Sequence, residues 1–443
     1  MQNKNPSILR EQFPTFLYRG FEIIPERNRD TVRYFYTIEG LEDFTSEFHF
    51  PRVDSQKRID QLIPMVTRLG LIEALSYWKA TCSPQFQFVD VEISSDELTF
   101  WKHLFYHGLG EFRYQNGIQT LENEFISFCG SVDSPIHYSI PLATDGNLIP
   151  VGGGKDSLAT LELLAHQKNE NMLFFLNPRP ACMRSASAAG YAKGDIFEVS
   201  RSLDRKLLAL NSLGYLNGHT PFSALLAFVS LLAAALLGKK NVILSNERSA
   251  SETNIADSEV NHQYSKSLEF ESQFRSYSHI YLSQDIEYFS LLRPLHEVQI
   301  ARYFANFTKY HSIFRSCNVG CYEDKWCEEC PKCLFVALIL SPFTSLQPIF
   351  RNNPLENQHL EEMLLDLCLP ARIKPFECVG TREESTACVR ELLQRNPVSK
   401  LLRDKNQICI EESTLKSLLY DWNERHFLPQ EFEKCVKQKV LQQ

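Results

Sequence analysis

Residues 147–168 read Asn-Leu-Ile-Pro-Val-Gly-Gly-Gly-Lys-Asp-Ser-Leu-Ala-Thr-Leu-Glu-Leu-Leu-Ala-His-Gln-Lys: a short apolar stretch, three consecutive glycines, then helix-forming residues. Glycines at a strand-to-helix junction let backbone N–H groups turn toward one anion. The helix N-terminus adds about half a positive charge facing the same point. Gly152, Gly153 and Gly154 therefore suit a phosphate cradle. A Walker A loop would need a second glycine directly before Lys-Ser or Lys-Thr, whereas Lys155 is followed by Asp156. The competing reading is a plain structural turn.

A second cluster follows an apolar run at 241–245. It reads Ser245-Asn246-Glu247-Arg248-Ser249-Ala250-Ser251-Glu252-Thr253-Asn254, with Asn261-His262-Gln263-Tyr264-Ser265-Lys266 soon after. So many polar groups directly after a buried strand exceed what a turn needs, although a solvated loop has the same composition. The functional reading uses Glu247 as a magnesium ligand or base, Asn246 as a cofactor contact, and Arg248, His262 and Lys266 as contacts for an anionic substrate.

The third cluster is Cys317, Cys321, Cys327, Cys330 and Cys333, with two Cys-x-x-Cys spacings and a distant fourth thiolate to close a tetrahedron. A structural zinc site is the economical reading, against an iron–sulfur cluster or buried thiols. Five cysteines compete for four places.

The elements that position these groups alternate. Strands are predicted at 147–151, 172–176, 196–199, 241–245 and 280–282, with helices at 155–168 and 221–237, which implies a doubly wound parallel α/β sheet. In such sheets ligands sit beyond the carboxyl ends of strands, near the switch in strand order. Residues 1–140 predict an N-terminal α+β domain: a hairpin of 21–24 with 32–38, then helices near 59–79 and 96–107. Residues 141–345 form the central domain. Residues 346–443 predict a helical extension, with periodic leucines at 360–369 and 386–394 and an amphipathic helix at 413–424. The run Pro221 to Gly238 is uncharged and just long enough to span a membrane. Thr220 as N-cap, Pro221 at the first helical position, Gly238 at the end and the strand that follows argue instead for a helix buried on a sheet, and against stable membrane insertion.

Composition sets the frame. The chain has 443 residues, 44% hydrophobic and 23% charged, with a formal charge of −8. That is ordinary for a globular enzyme and disfavours nucleic acid as a partner. The N-terminus carries no secretory signal, so a cytoplasmic location is expected. In that compartment thirteen cysteines read as a metal site plus free thiols rather than disulfides. Nothing in the sequence sets the oligomeric state.

Gly153 to Ser157 resembles the PP-loop of ATP pyrophosphatases (a HUP-like fold), with Gly152 where that pattern has Ser. The resemblance implies ATP split between its α and β phosphates. Gly153, Gly154 and Ser157 would contact pyrophosphate, Lys155 would stabilise transition-state charge on the α-phosphate, and Asp156 would hold the loop or Mg2+. It also favours Cys317 with Cys327, Cys330 and Cys333 as the zinc ligands, since PP-loop enzymes that make 7-cyano-7-deazaguanine have a similarly distant cysteine.

Together with Gly218-His219-Thr220-Pro221, Ser-Asn-Glu-Arg-Ser-Ala, Asn261 to Ser267, Trp326-Cys327 and Cys330-Pro331-Lys332-Cys333, the loop is similar to the MurL family, over about Tyr106 to Thr381. That resemblance implies epimerisation of the terminal L-glutamate of UDP-N-acetylmuramoyl-L-alanyl-L-glutamate in peptidoglycan synthesis, through an adenylated carboxylate with release of AMP and pyrophosphate. Glu247, His262 and Cys378 are the candidates for proton transfer. The alternatives are a PP-loop amide or nitrile synthase or RNA thiolase of the 7-cyano-7-deazaguanine synthase type, or a nucleotide-binding regulator.

Overall fold

The computed structural model describes residues 4–53, 57–133, 141–142, 144–395, 398–405, 408 and 414–442. The architecture is mixed α/β, a large sheet accompanied by many helices. Among the described residues ten strands are formed: β1 Thr15–Pro25, β2 Arg29–Ile38, β3 Glu42–Pro51, β4 Gln85–Phe88, β5 Ser127–Cys129, β6 Asn147–Pro150, β7 Asn171–Leu176, β8 Ile196–Ser202, β9 Asn241–Leu244 and β10 Glu287–Ser290. The chain divides into two compact units that interleave in sequence. Unit 1 comprises Met1–Leu148, Phe197–Val242 and Val260–Tyr288; unit 2 comprises Ile149–Ile196, Ile243–Glu259 and Phe289–Gln443.

In unit 1 the strand order is β8-β3-β2-β1-β4-β5. β1–β2, β2–β3 and β3–β8 are antiparallel, and β1–β4 and β4–β5 are parallel. The hairpin predicted at 21–38 is β1 with β2, extended by β3, which the sequence reading missed. Alternation in β2 buries Val32, Tyr34, Tyr36 and Ile38 on one face. The helix Ile63–Trp78 covers that face and accepts three tyrosine hydroxyls at its carbonyls: Tyr18 at Thr67 (3.1 Å), Tyr34 at Val66 (2.9 Å) and Tyr36 at Gly70 (2.7 Å). Each buried phenol is thus hydrogen-bonded, as a dry interior requires. Gly70 is obligatory there, because a Cβ would lie 2.1 Å from the Tyr18 hydroxyl oxygen.

The uncharged run is the helix Phe222–Leu237, buried on nearly every side and closed by Gly238 in the left-handed region at φ 64°. The Thr220 hydroxyl does not cap it. It accepts a hydrogen bond from the Lys79 ammonium at 2.7 Å, and the helix begins after Pro221, one residue later than expected. Among the described residues no helix is long and apolar enough to cross a membrane.

Beyond unit 1's own strands the order is β10-β9-β6-β7, and β6 pairs with β9 in parallel. β6 therefore has β7 on one side and β9 and β10 on the other, so the glycine turn leaves the sheet where strand order reverses. Two expectations need correction. Helix 155–168 is two pieces, Lys155–Leu163 and a kinked 3-10 segment Ala165–Glu170. Residues 280–282 end the helix Leu268–Tyr281 rather than forming a strand, and the strand there is β10. The helix runs on to Tyr281 because Phe270, Phe274, Tyr277 and Tyr281 continue one buried helical face.

Unit 2 has its own core around the helix Pro331–Leu340, whose residues Lys332 to Leu340 are all buried. The helices Glu361–Cys368, Arg382–Leu393 and Leu415–Tyr420 realise the leucine periods of the C-terminal third. Residue 413 lies outside the described residues.

Candidate functional site

β6 ends at Pro150, and the turn that follows is shaped by Gly153. Its φ is +78°, and a Cβ there would come within 3.1 Å of the Cys182 backbone nitrogen, so both conformation and space demand glycine. Gly154 is the N-cap of the helix Lys155–Leu163 and has an extended backbone. Ser157 donates its hydroxyl to the Gly154 carbonyl at 3.0 Å. Gly152 is different: nothing lies within 4 Å of where its Cβ would be, so a serine would fit.

Lys155 is only 2% exposed, and its ammonium contacts the carboxylates of Asp156 and Glu297. Burial works against that ammonium, but Asp156 and then Glu297 outweigh it and hold its pKa above the usual lysine range. Glu297, also 2% exposed, opens the helix Glu297–Ala305. Burial pushes its carboxyl up to about 8, against the pull of Lys155 and with further help from the charges of Asp156 and Glu247. The sequence reading missed Glu297. Its signal was an ionisable His-Glu pair between Leu295 and Val298, a few residues after β10.

Glu247 is buried. Its carboxylate accepts the Ser249 hydroxyl at 2.7 Å, and its carbonyl accepts the buried Arg293 guanidinium at 2.6 Å. Asn246 donates its amide to Ser290 Oγ at 3.1 Å. Arg248 reaches His296 at 3.1 Å and also contacts Asp421. The His296 ring lies 3.5 Å from Glu384, whose charge overcomes burial and raises the imidazole pKa. Cys378 sits in a segment tied down on both sides. Lys374 N–H donates to the Asn254 carbonyl at 2.8 Å, the Lys374 ammonium pairs with Glu252 at 2.5 Å, and Lys332 donates to the Cys378 carbonyl.

The thiols of Cys317, Cys327, Cys330 and Cys333 converge, with all four sulfurs within 4.8 Å of one another. Cys321 stands aside and donates its thiol to the Asn318 carbonyl at 2.8 Å. Backbone N–H groups of Gly320 and Cys327 donate to Cys317 Sγ at 3.1 and 3.4 Å. Hydrogen bonds from Cys330 and Cys333, against burial, and then from those two amides hold the Cys317 thiol far below its usual pKa. Four soft donors with a thiolate stabilised by amides fit a tetrahedral Zn2+ or a similar thiophilic ion. Gly320 allows the tight fold, since a Cβ would lie 2.3 Å from the Lys325 carbonyl oxygen. This loop also touches the glycine turn: Arg315 N–H donates to the Gly153 carbonyl at 3.0 Å.

Unit 2 thus gathers Lys155, Asp156, Glu297 and Glu247, with the cysteines on a neighbouring loop. His262 belongs to unit 1. There it shares a hydrogen bond of 2.5 Å with Glu111, and its ring centroid lies 4.4 Å from that of His219, the two planes tilted by 41°. Burial, and then the proximity of His262, Lys79 and Lys266, lowers the His219 pKa to about 3. Glu111 and His219 were also missed as site residues.

Residues 8–291 match the MurL N-terminal domain, and residues 310–408 match the MurL C-terminal domain. Three curated relatives are named UDP-N-acetyl-alpha-D-muramoyl-L-alanyl-L-glutamate epimerase. That of Xanthomonas oryzae pv. oryzae is 34% identical, covering 74% of this chain and 74% of the relative. That of Salinispora tropica is 33% identical, covering 79% and 78%. That of a Micromonospora species is 30% identical, covering 90% and 92%. No solved structure matches significantly.

Proposed function

The chain belongs to the MurL family, and from that premise we propose that it epimerises the terminal L-glutamate of a UDP-N-acetylmuramoyl-L-alanyl-L-glutamate substrate, using ATP in the manner of a PP-loop enzyme. The observation that carries the ATP step is the glycine turn between β6 and the helix Lys155–Leu163, at the reversal of strand order, with a buried lysine at the first helical position.

The chemistry needs an activated acid. A free carboxylate resists loss of the α-proton because an enolate dianion would form, and acylation removes that charge and lowers the barrier by many kcal/mol. In the proposed sequence a glutamate carboxylate oxygen attacks the α-phosphorus of ATP, and the bond to the β-phosphate oxygen breaks. Pyrophosphate leaves. The α-proton is removed from one face and a proton is delivered to the other. Water then cleaves the acyl adenylate to D-glutamate and AMP.

Within unit 2, amides at Gly153 and Gly154 and the Ser157 hydroxyl suit pyrophosphate, and Lys155 suits the charge that develops on the α-phosphate. The site has unmet hydrogen-bonding capacity of the right kind. The hydroxyls of Ser245, just after β9, and Ser316, against Gly154, are buried with no hydrogen-bond partner among the described residues. Asp156 and Glu247 offer the oxygen donors that Mg2+ prefers, and the ion would neutralise phosphate charge. The candidates for proton transfer remain Glu247 and Cys378, in unit 2, and His262, in unit 1. The four cysteines would hold a structural Zn2+.

The test is incubation with ATP, Mg2+ and the UDP-muramoyl dipeptide in heavy water, followed by chiral analysis of the glutamate. The expected result is D-glutamate carrying deuterium at the α-carbon, with AMP and pyrophosphate. Undeuterated L-glutamate from metal-replete protein would refute the reading. Deuterated D-glutamate without AMP would refute its ATP step alone.

A further inference from the structure

Three strings distant in sequence converge within unit 1. Glu111 lies on the helix Gly110–Gln115, His219 precedes the helix Phe222–Leu237, and His262 precedes the 3-10 turn Tyr264–Lys266. Small residues let the backbones approach. A Cβ on Gly108 would lie 3.1 Å from the Pro221 ring, and one on Gly110 would lie 3.7 Å from the Asn261 nitrogen. Asn116 ties the segments together through the Phe112 and Asn217 carbonyls at 2.8 and 3.2 Å.

The donors face one another. One carboxylate oxygen of Glu111 is fixed by the Gln115 amide at 2.8 Å. The other meets His262 Nδ1 at 2.5 Å and faces His219 Nδ1 at 3.7 Å. The His219 Nδ1 atom is buried without a hydrogen-bond partner among the described residues. A separation of 3.7 Å is too long for a hydrogen bond. It is close to the ~3.4 Å expected between two donors that each sit about 2.0–2.1 Å from a tetrahedral ion, whereas the 2.5 Å contact of Glu111 with His262 is a hydrogen bond whose proton an entering ion would displace as those two donors move apart to the same spacing. A second cluster, His103 with His107 and Glu122, lacks this feature: both His103 nitrogens already have carboxylate partners, Glu122 at 3.1 Å and Glu269 at 2.7 Å.

We propose that Glu111, His219 and His262 bind one divalent transition-metal ion of the zinc class, distinct from the ion held by the cysteines. Two imidazoles and a carboxylate are the donor set that suits such ions rather than Mg2+ or Ca2+. Three protein ligands leave a coordination position open. Gln115 acts on the ion through Glu111, by fixing which carboxylate oxygen turns to the histidines. The ammonium groups of Lys79 and Lys266 stand near His219, so the open position favours an anionic oxygen over a neutral ligand. As a ligand, His262 would leave the proton-transfer set to Glu247 and Cys378. The assignment does not depend on the epimerase reading.

The test is a Co2+ titration of the full chain, stripped of metal under reducing conditions and followed by visible absorption. Two classes of site are expected. One has intense thiolate-to-cobalt charge transfer; the other has weak d–d bands alone. The substitutions His219→Ala and Glu111→Gln should abolish the second class and spare the first, and Gln115→Ala should weaken the second by ~10-fold or more. Circular dichroism confirms that each variant is folded. The proposal is overturned if the native chain gives only the charge-transfer class, or if the weak class survives in folded Glu111→Gln.

Discussion

Replacing Glu297 with Gln isolates the proton that burial places on this carboxyl. The side chain is 2% exposed and rests on the equally buried Lys155 ammonium. Its pKa rises from the model-peptide value of 4.5 to about 8, first because of burial, with Lys155 opposing and Asp156 and Glu247 adding to the rise. Between those two values the folded protein holds a proton that the unfolded chain has released. Stability from this group is therefore fully present below about pH 4.5 and is lost as pH rises through about 8. At about 1.4 kcal/mol per pH unit, even one unit of that rise is a loss that an unfolding curve resolves. Gln mimics the protonated acid and still accepts a hydrogen bond from Lys155, so E297Q should match the native protein near pH 5 and lose less stability by pH 8.5. Urea unfolding followed by tryptophan fluorescence at half-unit steps of pH, without Mg2+, measures the difference between the two curves. Parallel curves over pH 5 to 8.5 would refute the argument, because they would mean that Glu297 is already ionised in the folded state.

Lys155→Met should reduce kcat/KM for the proposed ATP-dependent epimerisation by about 10²–10³, the usual loss when one preorganised transition-state contact is removed; steady-state AMP release measures it. Gly153→Ala should destabilise the fold by ~1–3 kcal/mol through its φ of +78° and the 3.1 Å approach to Cys182, whereas Gly152→Ser, which meets nothing within 4 Å, should leave the melting temperature unchanged and tighten ATP binding by adding a hydroxyl donor. Cys327→Ser should lower tightly bound zinc by one equivalent per chain while Cys321→Ser leaves it intact, a difference that elemental analysis of the purified variants reads directly.

What sequence could reveal followed the range of the forces involved. The glycine turn, the helix after it and the buried helix Phe222–Leu237 are local matters of backbone freedom, capping and apolar content, and each appears within a residue or a few of its expected place. The four-cysteine group was legible because its spacing is short and its chemistry narrow. The competition between Cys317 and Cys321 needed coordinates, since the loop through Gly320 decides which sulfur turns inward. Partnerships across long stretches of chain were not legible. Lys155 meets Glu297 142 residues away, and His262 meets Glu111 151 residues away; no periodicity encodes either distance. The missed strand β3 has a similar cause, because its alternation of aromatic and polar residues becomes persuasive only beside β2.

The hydrogen bond from Arg315 to the Gly153 carbonyl has a practical side. Arg315, Ser316 and Cys317 are consecutive, so three residues carry the chain from the glycine turn to the first sulfur of the thiol cluster. Oxidising or chelating conditions that loosen the sulfurs would slacken the turn itself, although the turn contains no cysteine. Two preparations indistinguishable on a gel would then differ in the order of the turn according to how each had been handled, and, if the proposed ATP step takes place there, the history of the thiols would be written into the kinetic constants measured for it.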